Sequence, residues 1–240
     1  MKRVFITGAG RGLGLGFTIQ CLSHGYHVFA GVRNIQKATV LHELSEKYPD
    51  NLKLVALDVT NSQSIDNSYN IVFSQVNALD LLINNAGVNS KSDGMGCRAN
   101  HVHLGQLDSK RMLDLFHVNA IAPIILAQRY IDLLKNGTNS VIINISSEQG
   151  SITNKVGDGN YSYCASKAAL NMLTRTLAFE VIEFDIIAIT IHPGSVKTDM
   201  NPRGIITPTE SAEAILRTVS RLRKEDTGKF FDYNCKVISW

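Results

Sequence analysis

Short apolar runs alternate along this chain with longer stretches whose apolar residues recur at helical spacing. Val4, Phe5 and Ile6 form the first run, and a helix is predicted behind it over residues 13–24. A second strand follows over 27–32, then a helix with Ala38, Leu41, Leu44 and Tyr48 along one stripe, closed by Pro49. Further strands are predicted over 52–57, 79–83, 141–145 and 186–191, with an edge strand over 229–233. The helix predicted over 62–76 turns Ile65, Tyr69, Val72 and Val76 inward. A long helix starts at Asp108-Ser109, passes Met112, Leu113 and Phe116, and runs to Leu134, where Asn136-Gly137 stops it. The small and apolar residues after Lys167 predict a helix packed closely on a neighbour. Thr207-Pro208-Thr209-Glu210 is a capping box with proline at the first helical position, opening a helix through Ile215 and Val219.

Strand and helix in alternation predict an α/β fold of the Rossmann type: a doubly wound parallel sheet of about seven strands with helices on both faces. The 240 residues suit a single cofactor-binding domain over 1–240. Two places break the pattern. Residues 88–107 are polar and without periodicity, a long loop at a strand's carboxyl end that is expected near the substrate. Pro123 lies inside the long helix, where its missing N–H frees the carbonyl of Asn119 for a water or ligand and predicts a kink.

Composition narrows the function by exclusion. A formal charge of +3 is too small to point to nucleic acid or a membrane surface. The N-terminus lacks the apolar run of a signal peptide, and no stretch approaches a membrane span. Cys21, Cys97, Cys164 and Cys235 are scattered, with no CxxC and no ligand spacing; they read as reduced thiols of a cytoplasmic protein, and no metal is expected.

The chemistry gathers where strands end. The first strand runs into Thr7-Gly8-Ala9-Gly10-Arg11-Gly12-Leu13-Gly14, a glycine turn opening a helix, which suits a pyrophosphate at the helix N-terminus. An acid about 20 residues further on would hold the ribose 2′-hydroxyl of NAD. Arg33 stands there instead, with no acid over 31–35, and a guanidinium suits a 2′-phosphate, with Arg11 as a second contact. The reading is therefore NADP(H) in preference to NAD(H). Asp58-Val59 lies where the adenine edge would come, and the fourth strand runs into Asn84-Asn85-Ala86-Gly87. Ser146 and Ser147 end the fifth strand facing the ligand crevice. Tyr163 and Lys167 stand four apart on one helix face. Free tyrosine is phenolate in only about one molecule in a thousand at neutral pH, and a nearby ammonium favours that form. Such a phenol can trade protons. His192 and Asp232 read as structural.

TGxxxGxG at 7–14, NNAG at 84–87, Asn119, the Ser147 strand end, YxxxK at 163–167 and PGxxxT at 193–198 occur in that order over nearly the whole chain. Together they resemble the short-chain dehydrogenase/reductase family. The lead-in Asp158-Gly159-Asn160, the run from His192 to Met200 and the ending from Gly228 to Trp240 are similar to sniffer-type carbonyl reductases and bacterial C-factor proteins. The resemblance implies that Tyr163 is the general acid that protonates a substrate carbonyl, or the base in reverse. It implies that Lys167 lowers the Tyr163 pKa and binds the nicotinamide ribose, that Ser147 holds the carbonyl oxygen, and that Asn119 holds a water passing protons to Lys167. Gly8, Arg11, Gly12, Leu13, Gly14, Arg33, Asp58, Val59, Asn85, Ala86, Gly87, Pro193, Gly194, Val196 and Thr198 would line the cofactor with Tyr163 and Lys167. Tyr161 lacks a lysine four residues on, and Ser147 is preferred to Ser146 because Gly150 follows it at the family's offset.

The implied activity is NADPH-dependent reduction of an aldehyde, ketone or quinone by a homodimer or homotetramer. Few residues separate Thr198 from the capping box, so the substrate lid is short, which suggests an open pocket and broad carbonyl specificity. A cofactor-binding sensor on the same fold and an NAD-dependent alcohol dehydrogenase are the competing readings. A sensor has no need of Asn119, Ser147, Tyr163 and Lys167 together, and Arg33 disfavours NAD.

Overall fold

The computed structural model describes residues 1–89 and 102–240. Seven strands form one parallel sheet in the order β3-β2-β1-β4-β5-β6-β7. They are β1 (Arg3–Thr7), β2 (His27–Val32), β3 (Leu52–Ala56), β4 (Leu81–Asn84), β5 (Val141–Ile145), β6 (Ile187–His192) and β7 (Phe230–Asp232). Helices α1 (Gly12–Ser23), α2 (Thr39–Lys47) and α7 (Pro208–Val219) cover one face. Helices α3 (Ser62–Phe73), α5 (Ala122–Lys135) and α6 (Tyr161–Val181) cover the other, and α4 (Ser109–Phe116) leads into α5.

The period of two along each strand explains this layering. Val4 and Ile6 pack with Phe17 of α1 and Ile215 of α7, while Phe5 between them stacks on Tyr130 of α5 with ring centroids 4.7 Å apart. Every residue of β5 is buried, as a central parallel strand covered on both faces must be. The strand order reverses between β1 and β4, so the carboxyl ends of these two strands flank a crevice where such folds hold ligands.

Most predicted elements stand where the periodicity put them. The long helix does not run unbroken: residues His117–Ile121 form a π-helical turn between α4 and α5. The Ala122 N–H reaches back to the carbonyl of His117, so the break at Pro123 is absorbed by a wider helical register. The capping box of α7 is present in full, with Glu210 and Thr207 bonded reciprocally. Asp232 accepts from the backbone N–H of Asn234 and Lys236, a structural use. The thiol of Cys21 is buried and pushed up to about 12, which makes it inert packing. Cys97 and most of the loop expected over 88–107 lie outside the described residues. Among the described residues no helix is long and apolar enough to cross a membrane.

Candidate active site

The crevice begins at the end of β1. Gly12 adopts φ +51 to turn the chain into α1, and a side chain at Gly14 would sit 2.1 Å from the Gly8 carbonyl oxygen. The first turn of α1 is thereby pressed against the strand end, with Arg11 at the N-cap giving no side-chain bond to it. Backbone N–H groups at a helix N-terminus that no side chain caps suit a pyrophosphate. Thr7 and Asn85 tie this turn to β4. The Thr7 hydroxyl accepts from the Asn85 and Ala86 N–H groups, both at 3.0 Å, and the Asn85 side chain donates to the carbonyls of Thr7 and Gly8. The amide of Asn85 is thus spent on holding the glycine turn, and Gly87 follows it into the crevice.

Arg33, just past β2, is exposed, and its charge together with the bonds from Thr60 holds Asp58 below the usual carboxylate range, the Thr60 bonds contributing most. Arg11 is engaged rather than free: its guanidinium meets Asp199 at 2.8 Å, both side chains largely exposed. An exposed pair of this kind contributes about 0–1 kcal/mol, so Arg11 is released at little cost. Thr198 packs its methyl over the Gly12 position, and Pro193 is held through its carbonyl by the hydroxyl of Ser211 on α7. Val196 and Ile206 bridge, so the segment between β6 and α7 folds tightly on itself.

On the other side of the crevice, α6 brings Tyr163 and Lys167 to the end of β5. Lys167 is 5% exposed and donates to the Ile145 carbonyl at 2.8 Å. Burial lowers its pKa to about 8. Its ammonium stands 5.8 Å from the centre of the Tyr163 ring. The phenol of Tyr163 is raised above its ordinary value by burial, and a hydrogen bond with Ser147 pulls it back down. Desolvation is the largest influence on this phenol, and the Ser147 hydroxyl favours its phenolate.

The two serines differ in their surroundings. Ser146 is buried and bonded to Asn171 at 2.6 Å, whereas Ser147 faces Tyr163. Gly150 explains why the turn after Ser147 reaches the helix: a Cβ there would lie 2.9 Å from the Lys167 backbone. Tyr161 opens α6 and stands exposed.

Asn119 sits in the π-helical turn, fully buried. Its side chain accepts from the Val88 N–H at 2.9 Å and donates to the Val88 carbonyl at 2.8 Å and the Ser166 hydroxyl at 3.0 Å. Ser166 donates in turn to the Tyr163 carbonyl. Asn119 therefore locks the chain after β4 to the helix that carries Tyr163 and Lys167. A side chain at Gly87 would lie 3.4 Å from the Asn119 oxygen and 3.8 Å from the Lys167 nitrogen, so these groups surround one point. Ser166 and the Ile145 carbonyl were not singled out from the sequence. A hydroxyl placed between Tyr163 and Lys167 on the buried face of α6 was the available signal for the first, and nothing local marks the second.

The sequence pattern of the short chain dehydrogenases matches residues 2–205. A curated oxidoreductase of Schizosaccharomyces pombe, itself uncharacterised, is 31% identical over 99% of this chain and 97% of its own length. The structure is similar to that of NADPH-bound carbonyl reductase from chicken fatty liver, with TM-score 0.90 and 35% identity over 100% of this chain and 99% of that one. Carbonyl reductase Sniffer of D. melanogaster matches with TM-score 0.91 and 29% identity, both chains covered completely.

Proposed function

Because this chain belongs to the short-chain dehydrogenase family of oxidoreductases, we propose that it is an NADPH-dependent carbonyl reductase acting on aldehydes, ketones or quinones. The observation that carries the reading is the meeting of Ser147, Tyr163, Lys167 and Asn119 at the carboxyl ends of β4 and β5, facing a glycine turn with an uncapped helix N-terminus. The whole chain works as one cofactor-binding unit in this reading.

NADPH, when bound, supplies the hydride. Every other part of the reaction falls to the protein. Gly8, Gly12, Leu13 and Gly14 leave room for a pyrophosphate at the start of α1, and Arg33, with Arg11 once released from Asp199, would hold the 2′-phosphate. Asp58 and Val59 would border the adenine; Ala86, Gly87, Pro193, Gly194, Val196 and Thr198 would border the nicotinamide half. Ser147 holds the substrate oxygen and Tyr163 gives it a proton as negative charge develops there. A phenol raised by burial is a protonated acid at neutral pH, which is the form a reductase needs at the start. Lys167, poised near 8, would donate to the ribose and, as the ammonium, stabilise the phenolate left on Tyr163 and supply a proton back to it. Asn119 contributes by fixing α6 against the chain after β4. Reading the protein as a cofactor-binding sensor accounts for Lys167 through the ribose but leaves the meeting of Ser147 and Tyr163 beside it unexplained.

The test is consumption of NADPH, beside NADH, against a panel of aldehydes, diketones and quinones. Turnover on some of them with a preference for NADPH is expected. Tight NADPH binding with no turnover on any carbonyl would move the assignment to a sensor.

A further inference from the structure

After β7 the chain reverses through Tyr233–Cys235 and returns antiparallel along the sheet edge. Asp232 bonds to Lys236, Ile238 bonds to Phe230, and Phe231 bridges Val237. The returning segment does not end at the sheet. The Ser239 carbonyl accepts from the hydroxyl of Ser151 at 2.6 Å, and the Trp240 carbonyl accepts from the Thr153 N–H at 2.8 Å. The indole of Trp240 is stacked on Phe230, ring centroids 5.8 Å apart, and the guanidinium of Arg175 from α6 stands 5.6 Å from it. Phe230 is 1% exposed, so this anchor rests on the core.

Ser151 and Thr153 lie in the connection between Ser147 and Tyr163. Ser151 is 1% exposed, and its N–H bonds to the Glu148 carbonyl of the turn that follows Ser147. At the other end, Asn160 donates to Gln149 at 2.6 Å and so closes the base of the connection beside α6. The tip between them turns Ile152 and Val156 into solvent. A polar, glycine-containing connection with so little of its own structure is held in place from outside, by a segment far away in the sequence.

We propose that residues 236–240 are a strap that sets the position of the 151–160 connection and of the Ser147 turn, and that Trp240 is a positioning residue for carbonyl reduction. This rests on the carbonyl reductase reading of the site. The strap's hydrogen bonds run to the sheet edge and to Ser151 and Thr153, not to the glycine turn or Arg33, so it acts on the carbonyl side of the crevice and leaves the cofactor side alone. Loosening it costs substrate affinity and the orientation of Ser147, with NADPH affinity preserved.

The test compares Trp240→Ala, Trp240→Phe and Ser151→Ala in the full chain. It follows amide hydrogen exchange over 148–160, the NADPH dissociation constant, and KM and kcat on the best carbonyl. For Trp240→Ala, exchange over 151–155 is expected to rise by about tenfold or more and KM by about five- to twentyfold, with NADPH affinity within about twofold. Trp240→Phe keeps a ring between Phe230 and Arg175 and is expected to restore KM. Ser151→Ala removes one hydrogen bond without disturbing the aromatic anchor, and keeps the test open if Trp240→Ala folds poorly. Faster exchange with unchanged KM overturns the positioning role, as does a loss shared equally by NADPH binding. If the wild type reduces no carbonyl, the reductase reading fails, and the exchange result alone then decides whether the strap holds the connection.

Discussion

At the scale of the residue, the site depends on environments rather than on residue types. Burial raises Tyr163 and lowers Lys167, two opposite shifts from one cause, because desolvation disfavours whichever form is charged. Under the proposed function, cofactor choice turns on Arg33. Arg33→Ala is expected to weaken NADPH binding by about 10–100-fold with NADH binding unchanged, the loss of one charge-assisted contact, measured by fluorescence titration of the two cofactors. Equal weakening of both would place Arg33 outside the 2′-phosphate site. The identity of Arg33 and the pair four apart on one face were legible in the sequence. The pairing of Arg11 with Asp199 was not, since it joins residues 188 apart whose only signal is opposite charge.

At the scale of the element, helix α6 and the turn after Ser147 are a fitted pair. A Cβ at Gly150 would meet the Lys167 backbone, which cannot retreat because Lys167 is bonded to Ile145 and Ser166 to Asn119. Gly150→Ala is therefore expected to push Ser147 away from Tyr163 at a cost of about 1–3 kcal/mol in stability and about tenfold or more in kcat/KM. Thermal unfolding and steady-state kinetics check the two together; unchanged kcat/KM would show that the turn has room to give. The strands were the most legible elements, because a parallel strand covered on both faces must be apolar throughout, as β5 is. The π-helical turn was only half legible. Pro123 announced a break, but proline says nothing of how the backbone absorbs it, and the register is chosen by the burial of Asn119 against Val88 and Ser166.

At the scale of the whole molecule, the site is held at a cost to the fold. Lys167 has a folded pKa of about 8 against an ordinary value of 10.5. Between those two values the unfolded chain binds the extra proton, so this residue makes stability rise with pH through that window, and its full penalty is present below about 8. Lys167→Met is expected to be more stable than the wild type at pH 7 by roughly 1–3 kcal/mol, with the advantage shrinking as pH rises from 8 toward 10.5. Denaturant unfolding across that range checks it, and a less stable variant at pH 7 would show that the bond to Ile145 outweighs desolvation. Function is expected to be lost in the same variant, the usual exchange of stability for chemistry.

The central claim is that Tyr163 gives the proton in an NADPH-dependent reduction, and Tyr163→Phe tests it most directly because it removes one oxygen and leaves the ring. With NADPH affinity and unfolding temperature measured beside turnover, kcat is expected to fall by about 10²–10⁴-fold while the cofactor binds as before. A variant that reduces carbonyls within about tenfold of the wild type would contradict the account and assign the proton to another group.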